Sequence, residues 1–518
     1  MYCPIGSEKM KDSGKPTRRS SSYSEHHEEP NTFLDTLQEE FASFGSSSQN
    51  LEMNTVAVVP DDTFTVTQAV NALGFGKFQA KLSLFTGLCW MTDSMEMTIL
   101  SILAPALHCE WNISCYQQAL FTTMVFMGMM LSSTFWAYVS DKYGRKKALL
   151  LCAYLLLYYG ALSSLSPNYT WILILRGIAG FAIGCIPQSV TLYSEFLPTM
   201  QRAKCVVLLD CFWALGACFE VVLALLVMPT MGRPWLLFLS TAPILAFTFI
   251  SSFLPESARY HVASGEPEKA LETLQRIAAE NNKPMPTGRL VVDDAVQEKQ
   301  GRAKDLLIPQ LRRTSVLLWV IWTACAFCYY GVVLMTTGLI IKSHGQCTIN
   351  EDINATVSNC MADCTTLNTQ DYMDLLWTTF AEFPGIFVTI FIIERFGRKI
   401  TMAVQFTMFS ICLAILYFSS ENRIYLTTTL FFARGIIAGV FQAAYVYTPE
   451  VYPAGLRSIG VGTCSGMARF GAMLTPYIAQ VLFQSSLSST VAVYSSVSLA
   501  AAMACSFLPS KSHIEGEY

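Results

Sequence analysis

Long apolar runs dominate this sequence, each about as long as the ~20 residues that a helix needs to cross a bilayer. Twelve can be drawn, at 82–104, 117–139, 147–165, 170–192, 204–228, 234–254, 315–341, 372–393, 400–418, 424–446, 458–483 and 487–508. In lipid every backbone N–H and C=O must be satisfied within its own segment, so runs of this length have to be helices. The reading is an all-α membrane protein with twelve transmembrane helices, here called spans 1 to 12. Composition points the same way. Hydrophobic residues make up 52% of the chain and charged residues 14%, against about 25% charged in soluble proteins. No nucleophile elbow, Walker loop or His/Cys metal spacing appears, so no catalytic residue, cofactor or metal is expected, and the protein does not read as an enzyme. A formal net charge of −4 offers no basic surplus to nucleic acid.

Long connections occur only before span 1 and at 255–314 and 342–371. They divide the chain into an N-terminal tail (1–80), a six-helix bundle (81–254), a central loop (255–314), a second six-helix bundle (315–510) and a short tail (511–518). The first tail is polar and rich in serine, including Ser20, Ser21, Ser22, Ser24 and Ser46 to Ser48. Such composition reads as mostly disordered, serving either phosphorylation or inert tethering. No apolar stretch near Met1 resembles a signal peptide. The spacing of Phe64–Phe78 predicts a short interfacial helix, and Pro267–Ala279 an amphipathic helix on the surface of the central loop.

Orientation follows from Lys and Arg in the short loops. One face carries Lys142, Arg145, Lys146, Lys147, Arg202, Lys204, Arg395, Arg398, Lys399 and Arg457, whereas the other carries Arg233, Lys342 and Arg423. The basic face is therefore expected in the cytosol with both termini. The sequons at Asn112, Asn168 and Asn354 fall on the opposite face, which is called the sequon face below. Asn112 and Asn354 are the candidate glycosylation sites, because the Asn168 loop is short and close to the bilayer. Cys109, Cys115, Cys347, Cys360 and Cys364 lie on the sequon face as well, where an oxidising compartment permits disulfides.

Motifs recur at offsets of about 255 residues. Asp141-Lys-Tyr-Gly-Arg-Lys is answered by Glu394-Arg-Phe-Gly-Arg-Lys, and Arg176-Gly-Ile-Ala-Gly by Arg434-Gly-Ile-Ile-Ala-Gly. Glu195 and Arg202 are answered by Glu450 and Arg457. Three matches in one order imply a duplicated six-helix unit, so two pseudo-symmetric bundles that meet around a central cavity. Asp141, Arg145, Glu195, Arg202, Glu256, Arg259, Glu394, Arg398, Glu450 and Arg457 then form a charged layer on the basic face. Acids add nothing to a topology signal, which favours a cytosolic gate latched by ion pairs.

These turn motifs resemble the major facilitator superfamily. The E-x-x-P-x-x-x-R sequences after spans 4 and 10, with Pro255-Glu-Ser-Ala-Arg259, resemble its sugar and organic-ion porter branch. Phe212–Glu220, Asp371–Thr379, Gly439–Pro453 and Gly462–Arg469 resemble members of that branch in cytoplasmic vesicles, synaptic vesicles included. The resemblance implies the major facilitator fold, alternating access and a vesicle membrane. Span 1, with Gly87-Leu-Cys-Trp-Met-Thr-Asp93, is similar to the first span of proton-coupled sugar porters. That likeness implies that Asp93 carries a proton and pairs with Arg176.

Further charges fall inside the apolar runs, where each costs ~2.5–3.5 kcal/mol at the bilayer centre. Glu96 lies three residues from Asp93 and shares its face, which makes Asp93, Glu96 and Arg176 the proton-coupling candidates. On span 5, Asp210, Trp213, Ala217 and Glu220 form an acidic and aromatic stripe at ~100° per residue. The substrate-cavity candidates are Asp210, Trp213, Glu220, Tyr329, Tyr330, Glu382, Phe441, Gln442 and Tyr445. Within the spans five acids, Asp93, Glu96, Asp210, Glu220 and Glu382, stand against three arginines, Arg176, Arg434 and Arg469, and with the aromatics they suit a small cationic or amphipathic solute. The function expected is transport of a small organic solute, organic cation or sugar-like, coupled to protons across a lipid membrane. A transporter fold that has lost transport and serves trafficking or binding is the alternative.

Overall fold

The structure, a computed structural model, describes residues 63–291, 303–344, 367–419, 422–453 and 456–509. Most of the N-terminal tail, the C-terminal tail, Asn354, Cys347, Cys360 and Cys364 lie outside the described residues.

Among the described residues, twelve helical rods form the body. Span 1 is Lys77–Trp111, span 2 Cys115–Tyr143 and span 3 Arg145–Ser163. Span 4 runs through Tyr169–Ile183 and Pro187–Glu195, span 5 is Arg202–Val227, and span 6 runs through Arg233–Leu239 and Ala242–Ile250. Span 7 is Pro309–His344, and span 8 joins Thr369–Phe380 to Glu382–Phe396. Spans 9 and 10 are Arg398–Ser419 and Arg423–Val451. Span 11 runs through Arg457–Pro476, a π-turn at Tyr477–Leu482 and Phe483–Ser485, and span 12 is Leu487–Ser506. Ten of these are long and apolar enough to cross a membrane. Spans 1 and 11 complete the set. They are the less apolar rods because they carry Asp93 and Glu96, and Arg469 among glycines and hydroxyls.

Packing repeats between the halves. Span 1 packs on span 5 as span 7 packs on span 11, and spans 2 and 3 pack on span 4 as spans 8 and 9 pack on span 10. Glycines explain the closest of these approaches. A Cβ on Gly128 of span 2 would stand 2.3 Å from the carbonyl oxygen of Gly177 in span 4, and one on Gly385 of span 8 would stand 2.3 Å from that of Gly435 in span 10. Small residues let helix backbones meet where lipid supplies no hydrophobic drive. The glycine following each repeated arginine is therefore a packing residue. Gly144 (φ 105°) and Gly397 (φ 80°) make the tight turns after spans 2 and 8, in a backbone region that favours glycine.

The stretch expected to form an interfacial helix is built otherwise. Val66–Leu73 is a helix with a Thr65/Gln68 capping box, and it packs on the central-loop helix Pro267–Asn281. Thr63–Phe64 pairs in parallel with Arg289–Leu290. Val66, Ala69, Val70 and Leu73 are buried in protein, so the tail's ordered part starts well before residue 80. Asn281 accepts from the Phe78 amide (3.0 Å) and donates to Gln79 Oε1 (2.9 Å). Lys81 pairs with Glu280 at 3.1 Å. Burial pushes the Glu280 carboxyl up, but Lys81 and Arg276 outweigh it and hold it below the usual range.

If the glycine contacts set the spacing of spans, Gly128→Val and Gly385→Val should each lower the melting temperature of detergent-solubilised protein. Overpacking of this kind costs about 1–3 kcal/mol or more. Gly462→Ala, where a Cβ meets nothing within 4 Å, serves as the comparison and should melt like the parent. Three indistinguishable melting curves would remove the packing argument.

Candidate functional site

A cavity lies between the halves. Spans 1, 2, 4 and 5 supply one wall and spans 7, 8, 10 and 11 the other, so the duplication is carried into the cavity itself. Of the residues expected there, Asp210, Trp213, Tyr329, Tyr330, Glu382, Phe441, Gln442 and Tyr445 all line it, together with Asp93. The aromatic rings are in contact: Trp213 and Tyr329 have centroids 6.3 Å apart, Tyr329 and Phe441 5.8 Å, Phe441 and Tyr445 6.1 Å. Trp90 and Arg469 line it as well, and sequence reasoning did not place them there. Trp90 was findable, since it lies three residues before Asp93 and shares its helix face.

Glu220 does not reach the cavity. It is buried within the first half, where it accepts a hydrogen bond from Ser240 at 2.8 Å, and its other oxygen has no partner. The reason is helical phase. At ~100° per residue, ten residues carry Glu220 roughly 80° round span 5 from Asp210. The same geometry separates Asp93 from Glu96, which are roughly 60° apart. Arg176 therefore donates to Glu96, and Asp93 is not its hydrogen-bond partner. Glu220 lies within electrostatic reach of Glu96 and Arg176, so the three make a charge cluster behind the cavity wall. Asp93 instead lies within electrostatic reach of Arg469, whose Nη1 donates to the Met129 carbonyl at 2.7 Å.

The second half holds its own buried pair. Arg434 Nε donates to Glu382 Oε1 at 2.8 Å, and both side chains are 1% exposed. Tyr329 donates to the same oxygen at 3.0 Å and accepts from Trp213 Nε1 at 2.7 Å. A hydrogen-bond chain thus runs from span 5 of one half to span 10 of the other, along the cavity wall.

On the basic face the expected gate residues divide by half. Arg145 lies 3.3 Å from both Asp141 and Glu195, and Arg398 pairs with Glu450 at 2.9 Å, the repeat of the Arg145–Glu195 contact. Glu256 accepts from the Arg145 and Lys146 amides at 2.9 and 3.1 Å, so its charge caps the start of span 3. Arg259 donates to Thr67, and Arg202 to the Leu197 carbonyl. These contacts staple turns inside one half. Between the halves, Lys204 lies 3.8 Å from Glu394, with both exposed, and Arg202 lies within reach of the like charge of Arg457. Glu394 therefore turns to the other half, away from its own Arg398.

Contacts between the halves concentrate toward the sequon face. Span 2 packs on span 11 and span 5 on Thr369–Phe380. Thr123 donates to the Met473 carbonyl at 3.3 Å. Asn112 is exposed in a three-residue turn, with φ 51°, and Ser114 of its sequon caps span 2.

The sequence matches the family model described as "Sugar (and other) transporter" over residues 44–349 and that of the Major Facilitator Superfamily over 366–516. Synaptic vesicle 2-related protein of Rattus norvegicus is 54% identical over 466 residues, covering 89% of this chain and 84% of that protein. Organic cation/carnitine transporter 7 of Arabidopsis thaliana is 35% identical, with 80% and 88% covered. Among solved structures, the partially occluded inward open xylose transporter XylE from E. coli superposes with a TM-score of 0.65 at 15% identity, covering 84% of this chain and 100% of that one.

Removing one member of the buried Glu382–Arg434 pair leaves the other charge alone in a low-dielectric site, at a cost of about 3–5 kcal/mol. Glu382→Gln and Arg434→Met should each lower the melting temperature sharply, and the double variant should recover part of the loss. Simple addition of the two effects in a double-mutant cycle would show that the pair does not act as a unit.

Proposed function

The chain belongs to the sugar (and other) transporter family of the major facilitator superfamily, and we propose that it carries a small organic solute by proton-coupled alternating access in a vesicle membrane. The observation that carries this reading is the cavity between two pseudo-symmetric halves, lined by spans 1, 2, 4, 5, 7, 8, 10 and 11. Its polar and aromatic lining suits a solute with one polar or charged head. The names of one relative, an organic cation/carnitine transporter, and of one structural neighbour, a xylose transporter, support the same size class.

The basic face, with both termini, lies in the cytosol in this reading. Tight packing toward the sequon face, against two exposed side chains at 3.8 Å on the basic face, supports a state whose cavity faces the cytosol. The staples around Arg145 and Arg398 keep each half rigid as the two rock. Proton coupling belongs to the cluster of Glu96, Arg176 and Glu220. Two carboxylates around one guanidinium leave a net negative charge that one proton neutralises, and Asp93 faces the solute side of the same helix. Relatives named for synaptic vesicles support a vesicle membrane, whose acidic lumen would drive solute inward against proton export.

Glu96→Gln and Glu220→Gln test the coupling. Reconstituted in proteoliposomes with an imposed pH difference, the parent should concentrate a labelled organic cation or sugar. Each variant should lose that accumulation while still exchanging solute across the membrane. Accumulation that survives in both variants would move the proton site elsewhere. A parent that concentrates nothing from a broad panel would favour the non-transporting alternative.

Topology is open to a separate check. Protease added outside sealed, right-side vesicles should remove the N-terminal tail, and glycans should map to Asn112 or Asn354. Cleavage of the tail only from the lumenal side would reverse the orientation.

A further inference from the structure

The acids that line the cavity are not equivalent. Three carboxylates face it, on Asp93, Asp210 and Glu382, with one guanidinium, that of Arg469. Glu382 is neutralised from behind by Arg434 at 2.8 Å. Arg469 is the cation within reach of Asp93. Asp210 has no cationic partner among the described residues. Its Oδ1 accepts from the Trp90 indole at 2.7 Å, and the charge it feels most is that of Glu382, of its own sign. With all three carboxylates ionised, three negative charges face two positive ones, and one negative charge is left uncompensated. An uncompensated charge away from water is costly, so the site favours a cation from solution.

Two further observations point to a ligand in the same place. Asp93 lines the cavity, is 4% exposed, and its Oδ1 is buried without a hydrogen-bond partner. Trp90 and Trp213 stand with ring centroids 5.5 Å apart at 57°. Both indole N–H groups are committed, to Asp210 and to Tyr329, which leaves their rings to offer π surface. Cations are attracted to tryptophan faces, most strongly where water is excluded.

We propose that the corner formed by Trp90, Asp210 and Trp213 is the subsite for the cationic head of the solute. The chemistry it fits is a small monovalent organic cation with an ammonium head against Asp210 and the indoles, and a hydroxyl or N–H that donates to Asp93 Oδ1. An amino alcohol has both features, while a neutral sugar lacks the first. The inference names the solute class for the transport reading and rests on it for its use, although binding itself can be measured without transport.

The test uses full-length protein in detergent and radiolabelled choline in a scintillation-proximity binding assay. The competitors are unlabelled choline, its neutral isostere 3,3-dimethylbutan-1-ol, and xylose. On the parent protein, choline should compete at least about tenfold better than the isostere, a preference of the size that a desolvated cation–π contact with a carboxylate supplies. Asp210→Glu should keep the preference. Asp210→Asn should lose it, with both compounds binding weakly and alike, and its elution on size exclusion should match the parent. Absence of choline binding, equal competition by the isostere on the parent, or a charge preference that survives in Asp210→Asn overturns the proposal. The parent comparison requires no variant to fold. Uptake into proteoliposomes is scored separately. Choline binding without uptake of any solute retires the transport reading and keeps the subsite, and uptake of a neutral solute with no charge preference does the reverse.

Discussion

A guanidinium within the bilayer cannot stay unpaired, and this chain buries two of them at corresponding places in its repeat. Arg176 and Arg434 each precede a glycine that lies against span 2 or span 8, so their backbones are pinned and the acids must come to them. The acids come from different directions. Glu96 reaches Arg176 from span 1, and Glu382 reaches Arg434 from span 8. The frame is symmetric and its neutralisation is not. In consequence the first half shuts its charge cluster behind the wall, whereas the second half presents Glu382 to the cavity and extends it through Tyr329 to Trp213.

The same asymmetry decides how the halves hold together. Opening toward the sequon face would separate close helix pairs and the bonds from Arg469 to Met129 and Thr123 to Met473. Opening toward the basic face gives up the exposed Lys204–Glu394 contact, and surface pairs of that kind contribute ~0–1 kcal/mol. The like charges of Arg202 and Arg457 work against closure there. The stronger pairs on that face, Arg145 with Glu195 and Arg398 with Glu450, lie within single halves and stiffen them. A charged layer read from sequence as one latch is therefore two staples with a weak seam between them.

Much of this was legible in the sequence because it depends on length, composition and repeat. Twelve spans, two halves and the basic face need no three-dimensional information. The aromatic cavity residues were legible too, since Tyr329 and Tyr330 stand together in span 7 and Phe441 and Tyr445 flank Gln442 in span 10. Pairings were not. Sharing a helix face tolerates about 60° of rotation, and that is the angle that sends Asp93 to the cavity and Glu96 to Arg176. Glu220 was misplaced by the same tolerance, accumulated over ten residues of span 5. Helical period does not reveal which neighbour stands opposite, so neither the 2.3 Å glycine approaches nor the docking of Val66–Leu73 on the central loop had a signal in one sequence.

Span 1 ties the two charge centres together. Asp93 and Glu96 sit less than one turn apart on a continuous helix, one facing the cavity and the other facing Arg176. Gly87 lies against the ring of Phe212 and Gly216 against the backbone of Met91, so this helix has little slack against span 5. Any shift of span 1 that moves Asp93 would therefore carry Glu96 with it, since both sit on one rod. In the proposed cycle, solute binding and the integrity of the Glu96–Arg176 pair are two readings of one helix position. Coupling of this kind needs no chain of contacts between distant sites, because one rigid element is biased by both.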